Sequence, residues 1–258
     1  IGGCYGSTGP NSKNPITDES YNFDFPPISF KDIEVSQKLL LDHLGVVSLE
    51  AVIGPSIGGL MALEFCTLYP SYVNKLISIS SGYKLSTIQL LHNLEQAYIL
   101  DLSKDSNVRK KEYLSLARMI AHKTYISLEL LSKRAKSESL YDDDLIEGFL
   151  NSPQESYMMH QGEKFIERFT PESYSSIIKG WQNFNLEMES ISKLKNINTL
   201  VISVDSDVCF YPEEQREFVS ILENCKVQTT YRMIESTKGH DSFLLEPELF
   251  KEIIENFI

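Results

Sequence analysis

The order of elements along this 258-residue chain predicts an α/β fold, a mostly parallel sheet interrupted by a long helical insertion. Three observations carry that reading. Residues 49–53 and 75–80 are short apolar runs flanking a helix-like stretch, 57–69. Strand, helix, strand in that order requires a parallel pair joined by a crossover. From about residue 85 to 195 the pattern turns helical, polar in places, with no convincing strand. Residues 199–204, 213–222 and 227–234 then restore strand, helix and strand.

Taken in order, residues 1–27 are rich in Gly, Ser, Asn and Pro and read as loop. Residues 30–44 place Ile33, Leu40, Leu41 and Leu44 at helical spacing, and Gly45 stops the helix. Within the helical block, 113–131 is the best amphipathic helix, and 248–257 closes the chain as another. The organisation expected is a first core part, 1–84, a helical cap, 85–195, and a second core part, 196–258. The chain opens on Ile1 and a glycine-rich turn, which reads as a fragment or a processed product.

A net charge of −12 argues against nucleic acid as a partner, because phosphate binding needs a basic surface. No apolar run approaches the roughly 20 residues that cross a bilayer. Cys4, Cys66, Cys209 and Cys225 are scattered without metal-ligand spacing, so reduced thiols and no metal are expected. Cys66, on a helix-like apolar face, reads as a small packed hydrophobe. Asp142-Asp143-Asp144 lacks the spacing of a calcium loop and reads as a helix start or a solvated face.

The chemistry is concentrated in Gly54-Pro55-Ser56-Ile57-Gly58, a G-x-S-x-G pentapeptide at a strand–turn–helix junction. Glycines around the serine permit a sharp turn that leaves its hydroxyl clear of the strand end. The Ile57 N–H then points where an oxyanion would form. A nucleophilic serine needs a base and an acid to orient that base. His43, His92 and His122 lie within helical patterns, and His160 stands among polar and aromatic residues. His240 instead follows the last strand, in a loop at the carboxyl end of the sheet, where α/β folds keep their sites. Asp207 ends the 199–204 strand in the same sense, with Asp205 close enough to compete for the orienting role. The chain order Ser56, Asp207, His240 is that of the α/β-hydrolase triad.

Longer stretches make the resemblance specific. Gly2-Gly3-Cys4-Tyr5-Gly6-Ser7-Thr8-Gly9-Pro10, Gln37 to Gly45, Met61-Ala62-Leu63-Glu64 and Ala117 to Tyr125 resemble the homoserine O-acetyltransferase family, an acyl-transferring branch of the α/β-hydrolase fold. Glu155-Ser156-Tyr157, Gln161 to Phe165, Arg168-Phe169, Asp205-Ser206-Asp207 and Gly239 to Leu244 continue the resemblance nearly to the end. It implies Asp207 rather than Asp205 as the catalytic carboxylate, and Arg118, Tyr125 and Asp241 as the residues that bind an amino-acid acceptor. Seven residues make two helical turns, so Arg118 and Tyr125 are expected on one helix face. An arginine can clamp an α-carboxylate and an aspartate can hold an α-ammonium.

The activity implied is transfer of an acetyl group from acetyl-CoA, a substrate rather than a resident cofactor, to L-homoserine through an acyl-serine. The cap is expected to keep water from that intermediate. A cytoplasmic homodimer without membrane or nucleic-acid partners completes the expectation. The resemblance also implies that the family's first sheet strands precede the position of Ile1 and carry a second oxyanion donor. Around the nucleophile, Pro55 and Ile57 replace the usual Gly and Met, and residues 89–96 depart from the cap's usual motif. Serine as acceptor, succinyl-CoA as donor, a plain esterase and a catalytically dead homologue are the competing readings.

Overall fold

The computed structural model describes residues 2–3, 6–105, 109–137 and 152–258, so Cys4 and the Asp142–Asp144 run lie outside the described residues. In chain order the first elements are α1 (Phe30–His43), β1 (Leu49–Pro55), α2 (Ile57–Leu68), β2 (Val73–Ile79) and α3 (Thr87–Leu102). Then come α4 (Lys110–His122), α5 (Leu128–Ser137), α6 (Pro153–Ile166), α7 (Pro171–Gln182) and α8 (Met188–Ile191). The last are β3 (Asn198–Val204), α9 (Pro212–Asn224), β4 (Thr229–Ile234), α10 (Ser242–Leu245) and α11 (Glu248–Phe257).

The chain divides into two compact units: Ile1–Ile28 with Thr87–Lys123 and Leu128–Gln182, and Ser29–Ser86 with Thr124–Ser127 and Asn183–Ile258. These bounds differ from 1–84, 85–195 and 196–258: the first 28 residues group with the helices, and residues from 183 on with the sheet.

The sheet unit carries the four strands in the order β1-β2-β3-β4, all parallel. Every residue of β3 after Asn198 is buried, as a strand covered on both faces must be. On one side Ile77, Ile79, Leu200, Ile202, Val204 and Ile234 form a cluster with Phe250 of α11. Ile253, Ile254 and Phe257 join it at the spacing that puts them on the same helical face as Phe250. The edge strand β1 is different: Ile53 is 44% exposed. α1 forms where its spacing predicts, opened by a reciprocal Ser29–Asp32 capping box. Its apolar face is only partly covered: Phe30 is buried and Ile33 and Leu41 are half-buried, but Leu39, Leu40 and Leu44 are 64%, 57% and 65% exposed. Spacing reports the helix, not what lies against it.

The helical unit is built around Leu100, Leu114, Ala117, Phe165, Tyr174 and Ile178. Phe165 stacks on Phe169 at 4.5 Å and meets Tyr174 edge-on at 4.9 Å. The Tyr174 hydroxyl donates to Gln96 Oε1 at 2.6 Å. α6 starts with a Ser152–Glu155 capping box and Pro153 in its first turn.

One expectation fails here. The 113–131 stretch is not one helix: α4 ends at His122 and α5 begins at Leu128. The Tyr125 carbonyl accepts from the Asp241 N–H at 2.8 Å, and Ser127 Oγ donates to the Thr237 carbonyl at 2.5 Å. The first of these gives the Tyr125 carbonyl the partner that a continued helix would have supplied. Arg118 and Tyr125 therefore do not share a helix face.

Candidate active site

The sheet unit brings together Ser56, Asp207 and His240. Ser56 stands between the end of β1 and the start of α2 with φ 54° and ψ −128°. A non-glycine residue held there costs on the order of 1–3 kcal/mol, and the surroundings must over-determine it. They do so from both sides. Ser56 N–H donates to the Ile79 carbonyl at 2.9 Å, and the Ser56 carbonyl accepts from Gly59 N–H at 2.9 Å and Leu60 N–H at 3.3 Å. Ile57 opens α2, so its N–H has no acceptor within the helix. It is the donor available to an oxyanion formed at Ser56.

His240 Nε2 lies 2.8 Å from Ser56 Oγ, and its Nδ1 lies 2.9 Å from Asp207 Oδ2. With the proton on Nδ1 donated to Asp207, Nε2 is left to accept from the serine hydroxyl. Asp207 and His240 are both buried. The carboxylate is fully used, because Oδ1 accepts the Cys209 and Phe210 N–H groups at 2.8 and 2.9 Å. The imidazole is held in plane by rings: Phe210 stacks on it at 5.5 Å, and Phe243 meets it edge-on at 5.5 Å. The Tyr125 ring lies 6.3 Å from it. Such a line of groups can move a proton from a serine to a histidine and stabilise the imidazolium that results.

Asp205 is not part of that line. Its Oδ1 accepts the Ser236 N–H at 3.0 Å, which ties the loop after β3 to the loop after β4. Ser206 adds two more ties: Oγ donates to the Ser236 carbonyl and accepts the Gly239 N–H. Gly239 has φ +72°, and a Cβ there would fall 2.3 Å from the Ser127 nitrogen. The turn that presents His240 therefore has room for glycine alone. Ser206 escaped the sequence reading, because a hydroxyl bonded to a distant backbone leaves no periodic signal.

Asp241 follows the histidine and anchors residues 124–127 through its N–H. Arg118 belongs to the helical unit, its guanidinium 4.9 Å from the centre of the Phe165 ring. The other histidines do different things. His122 is buried, with Nε2 2.9 Å from the Tyr157 hydroxyl. Burial, helped by Arg118 and Arg134, pushes it down to about 4, so it stays neutral. His43 is exposed, and His92 and His160 are partly so. Cys66 and Cys209 are buried and outside any disulfide, and burial raises both thiols. Among the described residues no group of His, Cys, Asp and Glu is placed to hold a metal ion.

A family model described as the alpha/beta hydrolase fold matches residues 2–247. A homoserine O-acetyltransferase of Methanohalobium evestigatum is 41% identical over 276 residues, covering 100% of this chain and 55% of the relative. The chain thus spans about half the length of curated relatives such as this one. The homoserine O-acetyltransferase of Caulobacter vibrioides is 33% identical, and there the chain covers 72% of the relative. In fold, the chain is similar to the crystal structure of homoserine O-acetyltransferase from Bacillus anthracis. That match has a TM-score of 0.86 at 22% identity, over 97% of this chain and 70% of the other. It is also similar to an acetylester hydrolase from Corynebacterium glutamicum, with a TM-score of 0.76 at 16% identity over 96% and 71%. A relative more than two thirds covered and a family model spanning nearly the whole chain agree, and the chain belongs to the homoserine O-acetyltransferase family of the α/β-hydrolase fold.

Proposed function

We propose that this chain carries the acyl-transfer centre of an O-acyltransferase that moves an acetyl group from acetyl-CoA to the hydroxyl of L-homoserine. The observation that carries the reading is the hydrogen-bonded line from Ser56 through His240 to Asp207, at 2.8 and 2.9 Å. In the first half, Ser56 Oγ attacks the thioester carbonyl as its proton passes to His240 Nε2. The Ile57 N–H faces the oxyanion. The C–S bond breaks and the CoA sulfur leaves with the proton from His240. In the second half His240 takes the proton of the acceptor hydroxyl, whose oxygen attacks the acyl-serine, and as the acyl–Oγ bond breaks Ser56 Oγ leaves with the proton returned by His240. CoA is a substrate in this scheme, and no resident cofactor or metal takes part.

Family resemblance assigns Arg118 to the acceptor's α-carboxylate, Asp241 to its α-ammonium and Tyr125 to acceptor binding. The charges suit those partners. The same reading takes the protein as a cytoplasmic homodimer joined through the helical unit. Ile88, Leu91, Leu94, Tyr98 and Leu102 support the dimer, since they form an exposed apolar stripe along α3. The thiols of Cys66, Cys209 and Cys225, outside any disulfide, suit a reducing compartment. Among the described residues no helix is long and apolar enough to cross a membrane.

The test uses the complete gene product and measures thiol release from acetyl-CoA and from succinyl-CoA, each with L-homoserine and with L-serine. Release from acetyl-CoA that depends on homoserine and disappears in Ser56→Ala is the expected result. Release that ignores both amino acids indicates an esterase-like hydrolase and removes the roles given to Arg118 and Asp241. Absence of release indicates a homologue without this activity.

A further inference from the structure

The nucleophile turn is held from behind by a residue that no motif marks. Ile79, the last residue of β2, accepts the Ser56 N–H. Directly after it the chain turns at Ser80, a second non-glycine residue with positive φ, +44°. Ser81 follows, fully buried, and Gly59 of α2 packs so closely on it that a Cβ at Gly59 would fall 2.4 Å from the Ser81 Cβ. Gly59 is also the residue whose N–H bonds the Ser56 carbonyl. The Ser80–Ser81 segment thus touches the nucleophile turn at two points. Ser80 N–H donates to the Ile202 carbonyl at 2.8 Å, but among the described residues the buried hydroxyls of Ser80 and Ser81 have no hydrogen-bond partner.

Gln215 holds Ser81. This fully buried side chain of α9 accepts the Ser81 N–H through Oε1 at 3.3 Å and donates to the Ser81 carbonyl through Nε2. A primary amide offers a donor and an acceptor in one plane, as a neighbouring strand would. α9 reinforces the grip two and three residues later. Glu217 accepts the Tyr83 hydroxyl at 2.8 Å, and Phe218 stacks on the Tyr83 ring at 5.8 Å. The helix begins at Pro212, just past the Asp207 loop.

We propose that Gln215 is a positioning residue for the nucleophile: its amide clamps the Ser81 backbone and so fixes both the Ile79 carbonyl and the Gly59 contact that set Ser56. The inference rests on Ser56 being the nucleophile, and it adds a residue outside the serine–histidine–aspartate line. Misplacement of a reacting atom by about 1 Å can cost on the order of 100-fold in rate.

The experiment is the rate of Ser56 modification by a serine-directed fluorophosphonate between pH 5 and 9. The complete gene product is compared with Gln215→Leu and Gln215→Glu, with near-UV circular dichroism to follow the fold. Leucine keeps the volume and loses both bonds, and about 100-fold slower labelling is expected with the fold retained. A protonated glutamic acid reproduces both bonds, so Gln215→Glu is expected to label near the wild-type rate at low pH. It should fall away as its carboxyl ionises and the donor is lost. On the same helix, burial raises the Glu214 carboxyl, whose titration is common to every variant and cancels in the ratio to wild type, while the Tyr83 hydroxyl lowers Glu217 and keeps it ionised. If the leucine variant does not fold, the pH profile of the glutamate variant decides. Wild type labelled at Ser56, with variants equally fast at every pH, overturns the clamp alone. Wild type unlabelled at Ser56 overturns the nucleophile reading and the clamp with it.

Discussion

β1 and β3 belong to one sheet and both feed the candidate site, yet they are covered very differently. β3 runs buried from Thr199 to Val204 and hands the chain directly to the Asp207 loop. β1 lies at the sheet edge, with Ile53 nearly half exposed and the uncovered leucines of α1 in the same unit, and it delivers Ser56. Asp207 is thus placed by the strand that leads to it. The serine is placed by its neighbour: β2 supplies the carbonyl that fixes its N–H. A side chain at such a site need not inherit its precision from the strand that carries it.

The sharpest way to break that comparison is at the buried end. Asp207→Asn should lower serine reactivity by on the order of 10⁴, the scale seen when an orienting carboxylate is replaced. Fluorophosphonate labelling reads the loss, and circular dichroism should show the fold unchanged. Next in size is packing. Leu200→Ala, in the middle of β3, should cost about 2–5 kcal/mol in urea unfolding, whereas Ile53→Ala on β1 should cost about 1 kcal/mol. Equal costs would mean that the edge is better packed than its exposure indicates.

A third prediction concerns Glu34, which α1 buries in the sheet unit near Glu64 of α2. It is 1% exposed and its Oε1 has no hydrogen-bond partner. Burial first, and Glu64 second, raises its carboxyl to about 8 from an ordinary 4.5. The folded state therefore holds this proton more tightly than the unfolded chain does. Stability from that preference is complete below pH 4.5 and is lost as pH rises through about 8. Glu34→Gln should remove that slope, so the variant gains on wild type between pH 5 and 8 in urea titrations. A constant difference between the two would refute it. The smallest effect expected is from Leu40→Lys on the uncovered face of α1, within about 0.5 kcal/mol in the same titration.

How much of this was legible in sequence follows from where each signal originates. The strands around residues 75–80 and 199–204 were readable as the short apolar runs of buried parallel strands, 49–53 as such a run at one sheet edge, and 227–234 by its alternation at the other. Ser56 and His240 were readable because each sits just past such a run. Asp205 and Asp207 could not be separated by position alone, and geometry separates them: one bonds Ser236, the other His240. The break after His122 was not readable, since Asp241 and Thr237, more than a hundred residues later, supply the bonds that favour it. Gln215 shows the same limit. Nothing local distinguishes an amide that faces water from one that stands in for a strand.

The crowding at Gly239 has a consequence for how this chain can vary. Since a Cβ there would strike the backbone at Ser127 and Ile126, no side chain can be reached by a small adjustment of rotamers. A library randomised at residue 239 and selected for activity should return glycine alone, whichever codons are offered. The histidine's immediate neighbour is therefore closed to gradual change. Any evolutionary retuning of the His240 ring must come from the rings around it, Phe210 and Phe243, or from the loop carrying Asp207.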